Sequence, residues 1–145
     1  MILDTSYLLP LARIQITSDL VLAVNEGKIV PEKASFDRMT VNSISIFELQ
    51  AKAAKLSVNT SSIIESFEII SGLFRIEPYN SPKIVEIASA LRGSFFTDYI
   101  DCIITATAVT LEEDLVTEDS KILRRRKDLL DMYNLKILSY RDLTT

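Results

Sequence analysis

Short apolar segments alternate with helical segments along the whole chain, and this alternation constrains the fold more than any other feature. Met1-Ile2-Leu3 predicts a first buried strand, which ends at Asp4. Strands that alternate with helices form right-handed β–α–β units, and such units build a parallel sheet with helices on its faces. We therefore expect an α/β fold. The expected strands cover residues 1–3, 41–44, 73–76, 114–117 and 136–138.

Capping residues and apolar periodicity predict where the helices begin. Ser45 with Glu48, and Ser62 with Glu65, have the spacing of a capping box, and Ser81 precedes a proline suited to a first turn. Residues 14–40 carry the weakest signals, and we expect helical decoration there, near a substrate entrance or a partner groove. The other expected helices cover residues 5–13, 20–24, 47–56, 97–111 and 120–132.

Composition limits the chemistry that the chain can perform. Its 145 residues suit one domain over 1–145, and no apolar run approaches the roughly 20 residues that span a bilayer. An acid follows the first three residues, so we expect no signal peptide and a cytoplasmic location. The chain has no histidine, one cysteine and three glycines, which excludes histidine bases, cysteine-type zinc sites and glycine-rich phosphate loops. Carboxylates, hydroxyls, Lys and Arg remain.

Four carboxylates stand where a parallel sheet would bring them together. Asp4 ends the first strand, Asp119 follows the strand at 114–117, and Glu48 and Asp101 lie near helix starts. Ligands bind beyond the carboxyl ends of the strands in such sheets. Oxygen ligands suit Mg²⁺ or Mn²⁺, which can activate water and neutralise a leaving oxygen. The four acids therefore predict a metal site for phosphodiester chemistry.

Each acid also has a purely structural interpretation. Asp4, Glu48 and Asp119 could cap helices, and Asp101 could complement a helix dipole. Helix capping alone does not require four acids to converge on one edge of one sheet. The two interpretations are compatible, because a carboxylate at a helix start can both cap the helix and bind a metal.

Four segments of the chain resemble, in order, the motifs of PIN-domain nucleases. The opening has an apolar strand, Asp and a hydroxyl residue, and the second segment carries Glu48 among apolar residues. The third has Asp101 followed by an apolar, alanine-rich helix, and the fourth has an apolar strand followed by Thr-x-Asp. The segments are residues 1–6, 45–49, 101–108 and 115–119.

The resemblance implies a fold, an activity and partners. It implies an α/β/α sandwich around a central parallel sheet, and Mg²⁺- or Mn²⁺-dependent hydrolysis of RNA with one or two ions. Small members of the family are often the toxins of toxin–antitoxin pairs of the VapC type. A small antitoxin protein and a homodimer are therefore the expected partners.

The resemblance also implies individual roles for the site residues. Asp4, Asp101 and Asp119 should bind the metal directly or through water, and Glu48 should complete the site or hold a second ion. The supporting hydroxyls should hydrogen-bond metal waters or neighbouring carboxylates. Asp98 is either a fifth site acid or a first-turn acid, with the second favoured, and Glu118 should point away. The supporting hydroxyls are Ser6 and Thr117.

The strongest basic run is Arg124, Arg125, Arg126 and Lys127, shortly after Asp119. It predicts either a patch that grips RNA phosphates or a solvated helix face with local acidic partners, and charge runs are more often the second.

Other functions remain open at this stage. A haloacid dehalogenase-type enzyme would need a second Asp where Ser6 stands, and a response-regulator receiver would need paired acids that are not evident. A PIN-fold interaction module without catalysis, and a nuclease of ribosomal RNA maturation or RNA quality control, are the alternatives to a toxin. The net charge of −4 disfavours a passive RNA-binding module.

Overall fold

A computed structural model describes all 145 residues and contains a five-stranded sheet in which every neighbouring pair is parallel. The strand order is β3-β2-β1-β4-β5, so the first strand lies at the centre. The sheet confirms the predicted parallel arrangement. The strands are β1 (Ile2–Leu3), β2 (Thr40–Asn42), β3 (Arg75–Glu77), β4 (Leu115–Val116) and β5 (Ile137–Leu138).

Helices connect the strands and cover the sheet. A 3-10 helix over Thr5–Ala12 follows β1 directly. The helices are α1 (Leu20–Asn25), α2 (Ser43–Lys55), α3 (Thr60–Leu73), α4 (Pro82–Ser94), α5 (Tyr99–Leu111), α6 (Ser120–Leu123), α7 (Arg126–Tyr133) and α8 (Tyr140–Thr144). None of them combines the length and apolar character needed to cross a membrane.

Two apolar cores lie on opposite faces of the sheet. Because side chains alternate along a strand, Leu3 and Val116 enter the core formed with the 3-10 helix and α1–α3. Ile2 and Leu115 enter the other core, formed with α4, α5 and α7. Both faces of the central strands are thus covered, which gives the α/β/α sandwich that the resemblance implied and explains why these strands are apolar throughout.

The second strand and its helix begin earlier than the sequence predicted. Asn42, the last residue of β2, caps α2 by accepting a hydrogen bond from the Ile44 amide at 2.9 Å. Its side-chain amide also donates to Thr107 Oγ1 at 2.8 Å, deep in the protein. The predicted Ser45–Glu48 capping box is therefore wrong, because Ser45 already lies inside the helix.

Two further expectations about helices are wrong. Asn59, rather than Ser62, caps α3 by accepting from the Ser61 amide at 2.8 Å. The helix expected at 120–132 is split into α6 and α7 by a turn at Arg125, whose φ of −97° and ψ of 7° leave the helical region. No glycine or proline marks that break, and the C-terminal α8 was not predicted.

Candidate acidic active site

The four predicted carboxylates line one cavity of about 440 Å³ at the carboxyl edge of the sheet. The parallel topology explains the convergence: Asp4 follows β1, Asp119 follows β4, and Glu48 lies in the helix that follows β2. Asp101 reaches the same place from the first turn of α5. No hydrophobic residue lines the cavity, whose walls are Asp4, Thr5, Ser6, Glu48, Lys52, Asp98, Asp101, Glu118, Asp119 and Lys121.

Asp4 lies at the bottom of this cavity and is only 7% exposed. Its Oδ1 accepts a hydrogen bond from the Thr5 amide at 2.7 Å, and its Oδ2 accepts one from Thr117 Oγ1 at 2.5 Å. Burial raises the pKa of this carboxyl, the two hydrogen bonds oppose the rise, and the carboxylates of Glu48 and Asp119 add to it. The ionised form of Asp4 is therefore destabilised by its surroundings, and either a proton or a bound cation would relieve this.

Thr117 connects Asp4 to Asp119. While its hydroxyl donates to Asp4, its Oγ1 accepts a hydrogen bond from the Asp119 amide at 2.9 Å. Asp119 in turn caps α6, its Oδ1 accepting from the amides of Lys121 at 2.7 Å and Ile122 at 3.2 Å. The second oxygen of Asp119 takes no part in the cap, so the carboxylate can cap the helix and still bind a ligand.

Asp101 carries the clearest electrostatic signature of the cavity. Its pKa is raised to about 7, first by burial and then by the negative charges of Asp98, Asp119, Asp4 and Glu48. Every one of these neighbours is a carboxylate, and none of the four predicted ligands has a basic partner within ion-pair distance. The four acids thus form no ion pair within the fold.

Three more predicted residues can be located. Asp98 caps α5 by accepting from the Ile100 amide at 2.8 Å, and it also lines the cavity. Ser6 lines the cavity, and its Oγ is buried and has no hydrogen-bond partner within the fold. Glu118, which was expected to point away, borders the cavity, but its Oε1 accepts hydrogen bonds from Tyr7 Oη and the Tyr140 amide, both at 2.6 Å, so its carboxylate is engaged outside the group of four acids.

The predicted basic run does not reach the cavity. Arg124 bonds to Ser120 in its own helix, and Arg125 pairs with Asp128 at 3.1 Å. Arg125 also lies over the ring of Phe95, 4.6 Å from its centroid. Arg126 pairs with Asp142 at 3.3 Å. Acidic partners thus hold two members of the run, Asp128 from the next turn of helix and Asp142 from farther along the chain. Lys127 lies outside the cavity as well.

Two lysines that the sequence analysis did not single out line the cavity instead. Lys52 follows Glu48 by four residues on α2, and Lys121 follows Asp119 by two at the start of α6. The i, i+4 spacing from Glu48 places Lys52 on the same helix face, so this signal was present in the sequence.

The donor set fits a hard divalent cation better than any other group. All donors are oxygens, and Mg²⁺ binds in proteins through one or two carboxylates while it keeps several waters. No three carboxylates converge closely enough here to ligate one ion by themselves. The cavity has room for bridging waters.

The segment 14–40 lines a different cavity, of about 630 Å³. Part of the 3-10 helix, α1 and Tyr140 share its walls. The segment also contains α1, the short helix that the sequence predicted. Asp19 caps it by accepting a hydrogen bond from the Leu22 amide at 2.9 Å.

Comparison with known proteins agrees with this architecture. The sequence model of the family described as PIN domain matches residues 1–129. No curated protein matches the chain. A chain of a toxin–antitoxin complex from Klebsiella pneumoniae is similar in structure, with 22% identity, a TM-score of 0.63 and 96% of each chain covered.

Two other solved structures are similar over nearly the whole chain. FitAcB from Neisseria gonorrhoeae is 19% identical with a TM-score of 0.65, over 98% of this chain and 99% of that one. VapBC2 from Rickettsia felis, bound to a DNA fragment from its promoter, is 19% identical with a TM-score of 0.65, over 95% and 96%. At these identities the likeness concerns the fold.

Proposed function

The chain belongs to the PIN domain family, whose members are nucleases, and from this premise we propose that it is a metal-dependent endoribonuclease. In this proposal residues 1–145 form one nuclease domain. The observation that carries the proposal is the cavity at the carboxyl edge, where four carboxylates on separate elements meet without a basic partner. Capping alone would not require that meeting.

The proposed roles follow from the position of each group. Asp4, Asp101 and Asp119 hold Mg²⁺ or Mn²⁺ directly or through water, and Glu48 completes the site or holds a second ion. The Thr117 hydroxyl orients Asp4 through the 2.5 Å hydrogen bond and accepts a hydrogen bond from the Asp119 amide. One hydroxyl thus positions two of the proposed ligands. Ser6 would hydrogen-bond a water of the metal site or a neighbouring carboxylate.

The reaction is hydrolysis of an RNA phosphodiester, in which a water oxygen bonds to phosphorus and one backbone P–O bond breaks. A bound divalent cation supplies an activated water and neutralises charge on the leaving oxygen. In the metal-free protein the pKa of Asp101 is about 7, so this carboxyl is partly protonated at neutral pH. It would have to lose that proton to become a metal ligand. Glu48 and Asp98 lie beside it and keep the region negative.

We propose further that the nuclease is the toxin of a toxin–antitoxin pair, acts in the cytoplasm, and is held by a small antitoxin protein. The support is that chains of similar fold come from a toxin–antitoxin complex and from VapBC2. The homodimer implied by the family resemblance stays a prediction. RNA contact by Arg124–Lys127 also stays a prediction, with the structure favouring the solvated-face alternative.

Incubation of the purified protein with a structured RNA tests the proposal, in Mg²⁺, in Mn²⁺ and in EDTA. We expect cleavage that requires metal and that Asp101→Asn abolishes. Equal cleavage by the wild type and the variant would refute the assignment of the site. Absence of cleavage together with absence of metal binding would favour a non-catalytic interaction module.

A further inference from the structure

The acidic cavity also contains two positively charged side chains, and the proposed metal site does not explain their presence. Six carboxyl groups and two hydroxyl residues make up the rest of its wall, and Lys52 and Lys121 are the only cationic side chains on it. A phosphodiester that approaches six carboxylates is repelled, so any permanent positive charge in this cavity bears directly on substrate binding.

The two lysines come from opposite sides of the central strand. Lys52 lies on α2, which follows β2, and Lys121 lies at the start of α6, which follows β4. In the sheet, β2 and β4 flank β1. Asp4, at the end of β1, therefore lies between the two lysines.

The backbone holds each lysine at a defined distance from an acid. Four residues of helix separate Lys52 from Glu48, which places it about 6 Å farther along α2. The amide of Lys121 donates to Asp119 Oδ1 at 2.7 Å, so the Asp119 cap fixes the backbone from which this side chain extends.

Neither lysine is engaged by the protein. Both are exposed, and neither ammonium group has a carboxylate within 4.0 Å or a hydrogen-bond partner in the fold. The contrast with Arg125 and Arg126 is direct, because those guanidinium groups already have acidic partners. Unlike those two arginines, the cavity lysines are free to bind an outside anion.

We propose that Lys52 and Lys121 bind the RNA backbone on the two sides of the phosphate that is cut, so that the strand runs across the cavity from α2 to α6. This inference rests on the proposed nuclease function and adds its substrate-binding residues. Ammonium groups bind phosphate as point charges and read no bases, so the contacts position the strand without selecting its sequence.

Salt dependence of RNA binding tests the proposal without relying on catalysis. The parent protein is Asp101→Asn, with fluorescent single-stranded RNA, Mg²⁺ and a series of KCl concentrations. Each of Lys52→Ala and Lys121→Ala should lower the slope of log Kd against log salt by about 0.7, and the double variant by about 1.4. Lysine-to-arginine variants should keep the parent slope.

Lys55→Ala is the matched control, because Lys55 is exposed on α2 but lies outside the cavity. It should leave the slope unchanged. In the otherwise wild-type enzyme, both cavity variants should raise KM about tenfold with kcat changed less than threefold, as expected for contacts made equally in ground and transition states.

The outcomes separate this inference from the proposed function. Metal-dependent cleavage by the wild type, combined with parent-like slopes for both alanine variants, overturns the lysine assignment alone. Lower slopes for both variants and not for Lys55→Ala support it. A parent that binds no RNA, in a protein that also cuts none, overturns the lysine assignment and the nuclease proposal together.

Discussion

Acidic groups lie at both ends of this sheet, but Glu113 at the amino end forms ion pairs and the four acids at the carboxyl end do not. At the amino edge, Glu113 lines a cavity of about 500 Å³, and its carboxylate accepts a hydrogen bond from the terminal ammonium of Met1 at 2.6 Å. Arg75 pairs with the other oxygen of the same carboxylate. At the carboxyl edge, the cavity of about 440 Å³ gathers carboxylates that have no such partner, and the pKa of Asp101 rises to about 7.

The charge balance of an acidic cavity therefore indicates whether its acids stabilise the fold or form a functional site. Both cavities are polar and similar in volume. The amino-edge acid is neutralised by neighbours that tie three parts of the chain together, which stabilises the fold. The carboxyl-edge acids repel one another, which destabilises the fold in the absence of a cation, and this is the arrangement expected of a functional site.

The largest expected difference between the two edges is in catalysis. Asp4→Asn should lower the rate of RNA cleavage by about a thousandfold, because the neutral amide weakens metal binding at the most buried ligand. Glu113→Gln should stay within about twofold of the wild type, since it lies at the far edge of the sheet. Single-turnover cleavage at one fixed, subsaturating Mn²⁺ concentration measures both rates. Similar losses in the two variants would contradict the division.

A smaller loss is expected for Thr117→Val, which keeps the shape but removes the hydroxyl that joins Asp4 and Asp119. The hydroxyl lowers the pKa of Asp4, so its loss should raise that pKa and make metal binding compete with a proton. Cleavage at neutral pH should fall about tenfold, roughly the effect of one lost hydrogen bond to a charged group. Recovery at higher pH or higher Mg²⁺ is the diagnostic feature, and Thr117→Ser is the control.

Stability should change in opposite directions at the two edges when metal is absent. Glu113→Gln should destabilise the protein by about 1 to 2 kcal/mol, because it weakens two ion pairs that are partly shielded from water. Asp101→Asn should stabilise it by about 1 kcal/mol, after allowance for screening of this partly exposed group. Urea unfolding in EDTA measures both signs, and destabilisation by both variants would show that the carboxyl-edge acids are structural.

The smallest effect is a pH dependence confined to the carboxyl edge. Because the folded state raises the pKa of Asp101, the folded protein binds more protons than the unfolded chain between about pH 4 and pH 7. The free energy of unfolding of the metal-free wild type should therefore fall, relative to that of Asp101→Asn, as pH rises through this window, and then level off. Parallel curves for the two proteins would contradict the assigned pKa.

Local signals were sufficient to predict the strands and the position of the acids. Asp4 directly follows a short apolar segment, and Asp119 comes three residues after another. A parallel sheet must bring the ends of such segments to one edge. The resemblance to PIN-domain nucleases drew on the same residues, and the match of the PIN domain family over residues 1–129 confirms it. The roles of the acids as ligands remain a proposal.

The errors arose where distant contacts decide between equivalent local signals. Asn42, Ser43 and Ser45 can each cap a helix, and the choice of Asn42 depends on its buried hydrogen bond to Thr107, which lies 65 positions away. The basic run at 124–127 looked like one surface. Phe95 and Asp142, both remote in sequence, separate its members and accompany the break between α6 and α7.

Calorimetric titration of the metal-free protein with Mn²⁺ tests the central claim most directly, since it asks whether the four carboxylates share one cation site. Binding should occur in the wild type and in Glu113→Gln, and it should weaken at least tenfold in each of Asp4→Asn, Glu48→Gln, Asp101→Asn and Asp119→Asn. Binding that is absent from the wild type, or that all four variants retain unchanged, would contradict the claim that the carboxyl edge of the sheet is a metal site.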